Sequence, residues 1–336
     1  MRIQSIVALV LVAASAPAAL AQDAGNAPVR HGISIGNYPN VAGLRMNFRD
    51  RGLQKVDGAN VTIWTPYDNE PSGTVRGFSV GLPMTGAGSV SGVTVGLFGA
   101  GASRDLTGFS VGGIGVGAGG RTRGIAIGGI GVGGGGSLEG LAIGGIGAGS
   151  GGNAKGIMVG GVGAGVAGDI QGIAIGGIGA GAGGNARGLI AGAIGAGAGG
   201  DLTGIGFGGI GVGAGGTIRG LAIAGVGVGA GESIDGVAIA LVGVGAPTLR
   251  KFAMASMVGA RHMDGLMIAG VSKLDKGGDM RGVSVAGVND FRGSQKGLTI
   301  GIVNYARELD GMQIGVINVA RNASVKFLPI VNYHRK

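Results

Sequence analysis

The chain has 336 residues, 84 of them glycine, with 45% hydrophobic and 13% charged residues, no cysteine and a net charge of +9 at pH 7. Hydrophobicity this high with charge this low excludes the disordered class, and the glycines do not recur at every third position as a collagen triple helix requires. The missing cysteines exclude a disulfide framework and thiolate zinc sites; the basic excess reads as a solvated surface or as affinity for anionic partners such as lipopolysaccharide or cell-wall polymers.

Residues 1–21 read as a secretory signal peptide. Arg2 supplies the positive start, Ile6–Ala14 the apolar run and Ala19-Leu20-Ala21 a small-x-small cleavage site before Gln22. Residues 22–31 form a small, polar, flexible lead. From Gly32 a motif of glycine, hydrophobic, any, hydrophobic appears at positions 32, 43, 58 and 77. Its spacing is uneven, and the segment carries Tyr38, Phe48, Trp64 and Tyr67. Residues 32–91 are therefore assigned as irregular N-terminal repeats that cap a more regular body, because terminal repeats are atypical.

Residues 92–251 are that body, a regular glycine-rich array with a 16-residue unit. Its leading glycine recurs at Gly92, Gly108, Gly124, Gly140, Gly156, Gly172, Gly188, Gly204, Gly220 and Gly236. A repeat this strict is an architectural signal. Within one unit Ile125 and Ile127 alternate with Ala126, and Ile130 and Val132 alternate with Gly131. Period-two alternation predicts β-strand. The phase slips at Gly128-Gly129, so a bend there would let both apolar sets face one interior. The outward positions are then Ala126, Gly131, Ala142, Gly147, Ala174 and Gly179, a flat bare surface suited to self-association or to contact with an envelope glycan or lipid.

Three residues precede each leading glycine. The first is a turn former, as at Asp105, Asp169, Asn185 and Asp201. The second is mostly apolar (Leu106, Leu138, Ile170, Leu202, Ile218, Ile234) and is expected to plug a corner of the core. The third is mostly polar or charged, and Arg123–Glu139–Lys155 and Arg219–Asp235 would place compatible charges on successive units.

Residues 252–336 change register, with Phe252 at the sixteenth position after Gly236. Asn289, Asn304, Asn318 and Asn332 follow at intervals of 15, 14 and 14, a spacing that predicts an asparagine ladder along a stack, with a cap beyond it. The run GLTIGIVNYARELDGMQIGVINVA, within residues 265–333, resembles the unit of bacterial exported surface-repeat proteins, which carry tandem G-h-x-h-G-h-h-N segments. The resemblance implies export and surface exposure and brings no catalytic residues with it.

These features predict an all-β chain, a parallel β-solenoid of about 16-residue coils. The alternative is a transmembrane β-barrel. Against the barrel stand the 4% aromatic content, too low for aromatic girdles, and Gly or Ala where a polar lumen is needed.

The sequence offers no catalytic, cofactor-binding or metal-binding residue. The GxGxxG match at 131–136 is a product of composition, and no helix is expected to follow it. His31, His262 and His334 are far apart. The cluster Ser256, His262 and Asp264 lacks any assurance of shared geometry, and Asp68/Glu70 and Glu308/Asp310 read as solvated turn acids. Asn60 and Asn322 are glycosylation sequons only in a host that uses them. Few aromatics accompany the basic residues, so nucleic acid is not an expected partner. The expectation is an exported, non-enzymatic protein with a structural or adhesive role at the cell envelope, in the periplasm, outer membrane or cell surface; the alternative is an outer-membrane barrel with a pore or transport role.

Overall fold

The structure, a computed structural model, describes residues 27–67 and 71–335. The predicted signal peptide and most of the polar lead lie outside the described residues. Strands account for nearly all regular structure and no helix occurs among the described residues. The chain divides into two compact units, one ending at Val162 and one beginning at Gly163. Each is a parallel β-solenoid.

A regular coil contains one long and one short strand, as in Leu138–Gly144 followed by Gly147–Ser150. Each pairs in parallel with its equivalent one coil away. Leu138 registers with Thr122 on one side and Ala154 on the other, and Gly131 with Gly115 and Gly147. The irregular segment 32–91 builds the same ladder, with Gly32, Gly43, Gly58, Gly77 and Gly92 in one column. A membrane barrel is built from antiparallel neighbours, so these parallel pairings replace the barrel alternative with the solenoid.

The column of leading glycines has two physical causes. Gly124, Gly140 and Gly156 have φ of +111°, +114° and +124°, a region that L-residues avoid. A Cβ at Gly140 would also overlap the carbonyl oxygen of Gly124 one coil below. Where the glycine fails, Lys251 takes its place: Lys251 registers with Gly236 and has φ +78°. Phe252, expected there from the count of sixteen, pairs instead with Val237, because this coil is one residue shorter.

The expected assignment of inside and outside is reversed over much of the coil. Ala126 and Ala142 are buried, at 2% and 0% exposure, whereas Ile125 and Ile130 are 41% and 49% exposed. Of the positions expected outside, Ala126, Ala142 and Ala174 line the core; Gly131, Gly147 and Gly179 are half-exposed. The interior is thin, and thinness demands small side chains. A Cβ at inward Gly128 would strike the backbone of Gly131, three residues on around the bend. Val132, expected inside, is inside.

The corner residues behave as expected. Leu106, Leu138, Ile170, Leu202, Ile218 and Ile234 are all buried. Their volumes compensate within the coil: large corners face small partners in Leu138/Ala142, Ile170/Ala174 and Leu202/Gly206, and small corners face large partners in Ala154/Met158 and Ala186/Ile190. A Cβ at Gly206 would lie 2.8 Å from Val212 Cγ1 and 3.2 Å from Leu202 Cδ1. Constant summed volume is what a close-packed layer requires.

The turn formers act between coils. The Oδ1 atoms of Asp169, Asn185 and Asp201 accept from the backbone N–H of Asn185 (2.6 Å), Asp201 (2.9 Å) and Thr217 (2.8 Å). Asp105 does the same for Arg121 at 3.0 Å. The charge column is partly as expected. Arg123 pairs with Glu139 at 3.0 Å, but Arg219 reaches Asp201 (3.0 Å) and Asp235 pairs with Lys251 (2.8 Å).

Polar groups fill the interior of the first unit near its start. The inward column runs Ser34, Arg45, Asn60, Ser79, Thr94 and Ser110 before turning apolar at Ala126. Arg45, read from sequence as part of a surface charge excess, is fully buried. It pairs with Asp50 and donates to Tyr38 O (2.9 Å) and Asn60 Oδ1 (2.8 Å). Asp50 also accepts from Asn47 and Asn60, both at 2.9 Å, and from Thr62. A buried ion pair holds only when its remaining lone pairs and protons are used in this way.

In the second unit the extended segment Thr248–Ala320 winds through several coils and ends against the antiparallel strand Phe327–His334. The asparagine ladder forms, with Asn289 Nδ2 donating to Asn304 Oδ1 and Asn304 Nδ2 to Asn318 Oδ1, each at 2.7 Å. It stops there. Asn332 lies on the antiparallel strand, opposite Gln313, and does not join it.

Candidate interaction surface

The long strands alternate, so their outward positions form columns. In the first unit one column is Phe109, Ile125, Leu141 and Ile157, and the next is Val111, Ile127, Ile143 and Val159. A third follows the turn: Phe98, Ile114, Ile130, Ile146 and Val162, stacked by N–H···O bonds of 2.7 Å. The second unit repeats the arrangement with Ile173, Leu189, Ile205 and Leu221 and, at the turn, Ile178, Ile194, Ile210 and Val226. At ~4.8 Å per coil and ~3.3 Å per strand residue, each patch covers on the order of 400 Å². That is as large as the largest apolar patch of an ordinary monomer, a size that often marks a contact surface.

The short strands present a different outward face, made of glycine. A Cβ at Gly131 would come no closer than 3.6 Å to Gly147 O, and at Gly133 4.0 Å from Gly149 O. Neither position has a positive φ, so the coil itself does not require glycine there.

The residues weighed for chemistry are not assembled into a site. His262 Nδ1 contacts Asp279, not Asp264, and Ser256 Oγ donates to Leu241 O at 2.6 Å. Asp68 and Glu70 lie outside the described residues. Glu308 is exposed and Asp310 half-buried. Among the described residues no group of three or more His, Asp or Glu is placed to hold a metal ion. The GxGxxG stretch at 131–136 belongs to a short strand and turn whose N–H groups are used between coils, as Gly135 N to Ala118 O and Gly136 N to Gly120 O, both 2.8 Å. A phosphate cradle needs those donors free. Of the sequons, Asn60 is buried in the Arg45 network and Asn322 brackets Leu309, accepting from its N–H (2.8 Å) and donating to its carbonyl (3.0 Å).

Two carboxylates are held below their ordinary range. Asp201 is lowered mainly by the Thr217 backbone N–H, against opposing desolvation, with help from Arg219. Asp235 is lowered mainly by its hydrogen bond with Lys251, again against desolvation. Both serve the stack of coils.

Fold and surface together define a parallel β-solenoid repeat protein with an outward apolar face. Comparison with protein-family models, curated proteins and solved structures finds no match for the chain.

Proposed function

We propose that the chain is an exported, non-enzymatic repeat protein with a structural or adhesive role at the bacterial cell envelope. The observation that carries this reading is the outward apolar face, repeated coil after coil where a solvated solenoid would carry polar side chains. The signal-like residues 1–21 and the resemblance of residues 265–333 to exported surface-repeat proteins support export. In this reading the apolar columns adhere to an envelope surface, and the paired coils supply a rigid support for them.

The test is fractionation of cells expressing the intact chain, with and without detergent, beside a variant with Ile125→Ser, Ile127→Ser, Leu141→Ser and Ile143→Ser. Wild type is expected in the envelope fraction, and the variant, folded by circular dichroism, in the soluble exported fraction. Retention of wild type in the cytoplasm, or identical partition of the two, would overturn the proposal.

A further inference from the structure

The apolar face of the first unit changes character along its length. From Ile114 onward its ridge is aliphatic, through Ile130, Ile146 and Val162. Toward the start of the unit the ridge becomes aromatic: Phe98 N–H donates to Pro83 O (2.9 Å), and Trp64 N–H to Phe48 O (2.7 Å). Leu82 and Leu97 stand beside it, and Phe48, Trp64, Leu82, Leu97 and Phe98 are each more than half exposed. The neighbouring strand column runs Leu44, Ala59, Phe78, Val93 and Phe109, without a polar side chain.

The border of this end is amphipathic. Arg49 follows Phe48; its guanidinium donates to Thr65 O (3.1 Å) and Pro66 O (3.2 Å), and its Cζ lies 4.7 Å from the centre of the Tyr67 ring. Arg51 lies over the same ring at 5.2 Å. Tyr67 and Trp64, the only tryptophan of the chain, are both exposed. Tryptophan and tyrosine at the edge of an apolar surface, with arginine beside them, match the boundary between acyl chains and headgroups, where such side chains collect.

The size and relief of the face decide between a second copy and a fluid partner. Two copies joined through patches of about 400 Å² each would bury about 800 Å² in all, short of the roughly 1,200–2,000 Å² of a stable protein interface. The first coils also lack the even relief that two rigid copies need to interlock. Phe48, Trp64, Pro83 and Phe98 occupy their turns, where later coils repeat isoleucine. Acyl chains need no matching patch and close around uneven side chains, so affinity follows the apolar area buried.

We propose that the aromatic end of this face, centred on Phe48, Trp64 and Phe98, inserts into the acyl boundary of a lipid bilayer, with Tyr67, Arg49 and Arg51 at headgroup level. This inference rests on the adhesive reading above and names its partner: the surface is lipid, and the first coils of the unit enter it deepest.

The experiment adds phosphatidylcholine vesicles to the purified full chain and follows the emission of Trp64, which no other tryptophan obscures. Lipid without net charge excludes simple attraction to the chain's charge of +9. The expected result is emission at shorter wavelength, quenching by brominated acyl chains, and binding that persists at high salt. Phe48→Ser/Phe98→Ser should bind at least about tenfold more weakly, the equivalent of ~1.4 kcal/mol. This variant keeps Trp64 and residues 1–21, so any lipid affinity of that segment is common to both proteins. Both substitutions fall at exposed positions, and thermal melts check that the variant folds. The proposal is overturned if wild type does not bind the vesicles, if it binds with Trp64 unshifted, or if the variant binds as tightly. It is also overturned if Trp64 is already shifted without lipid in a protein that sediments as a dimer, which would make a second copy the occupant. The adhesive reading is decided separately, by fractionation of the variant at Ile125, Ile127, Leu141 and Ile143, and a negative vesicle result leaves that test untouched.

Discussion

Two glycine-to-alanine substitutions nine residues apart should have opposite consequences. Gly140 has φ +114°, and a Cβ there would overlap Gly124 O. Holding an L-residue in that region costs about 1–2 kcal/mol. Moving the coil off the oxygen weakens neighbouring ladder hydrogen bonds, each worth about 1 kcal/mol net. Gly140→Ala should therefore destabilise by about 2–4 kcal/mol. At Gly131 the nearest atom to a new Cβ is 3.6 Å away, φ is ordinary, and the side chain would point outward. Gly131→Ala should leave stability unchanged or raise it by about 0.4–1 kcal/mol, by reducing the freedom of the unfolded chain. Urea unfolding followed by far-UV circular dichroism measures both. Stability in a solenoid is set largely by neighbouring coils, so hydrogen exchange should show the Gly140→Ala damage concentrated at residues 124–160. A neutral Gly140→Ala, or a Gly131→Ala as damaging as its counterpart, would refute the argument that backbone approach fixes the first column and leaves the second free.

Three further outcomes follow from the same geometry. Ala154→Leu should overpack its layer and cost about 1–3 kcal/mol, and adding Met158→Ala should recover most of that loss; a double-mutant cycle with no coupling would show that the two side chains do not share one volume. Asn304→Ala leaves Asn289 Nδ2 and Asn318 Oδ1 without their ladder partner and should cost about 2–4 kcal/mol, whereas a loss under about 1 kcal/mol in chemical unfolding would mean that the ladder is incidental. Because Asp201 and Asp235 are lowered below the usual carboxylate value of 3.8, their stabilising contribution is complete above it and disappears as pH falls through the lower folded values. The urea midpoint should fall on acidification from pH 5 to pH 3, and Asp201→Asn/Asp235→Asn should flatten that fall; both groups are partly exposed, so the effect is modest, and an unchanged acid dependence in the double variant would count against it.

Much of the architecture was legible because glycine, corner and rung positions are each forced by a single local cause. The leading glycine recurs because two constraints coincide at one atom, and its 16-residue interval reports the length of a coil directly. The corner Leu and Ile, the Asx turn formers and the Asn289–Asn304–Asn318 rungs are similarly one residue deep in cause, so spacing sufficed to place them. Asn332 misled because spacing does not report strand direction: the chain reverses after Ala320, and an interval of 14 then leads to an antiparallel partner. Arg45 misled for another reason. Its charge suggests solvent, and only the return of Asp50, Asn60 and Thr62 to the same interior makes its burial affordable.

The failure to tell inside from outside has a more general cause. Alternation states that two sets of residues face opposite ways and does not state which set is buried. Assigning the larger apolar residues to the core is sound when the core is wide. Here a Cβ at Gly206 on the long strand would lie 2.8 Å from Val212 Cγ1 on the short strand, so the two strands of a coil run close together and leave room in the middle of the long strand only for residues such as Ala126, Ala142 and Ala174. Compensation by Met158 and Ile190 occurs only where a corner residue has shrunk to Ala154 or Ala186. The isoleucines are then outside because the core cannot admit a full column of them. Their presence on the outer face nevertheless needs a cause, since threonine or valine would satisfy strand propensity equally well and threonine would be better solvated. That cause is absent from the packing of the coil, which is why the proposed adhesive role rests on the apolar columns and not on the glycine-rich interior.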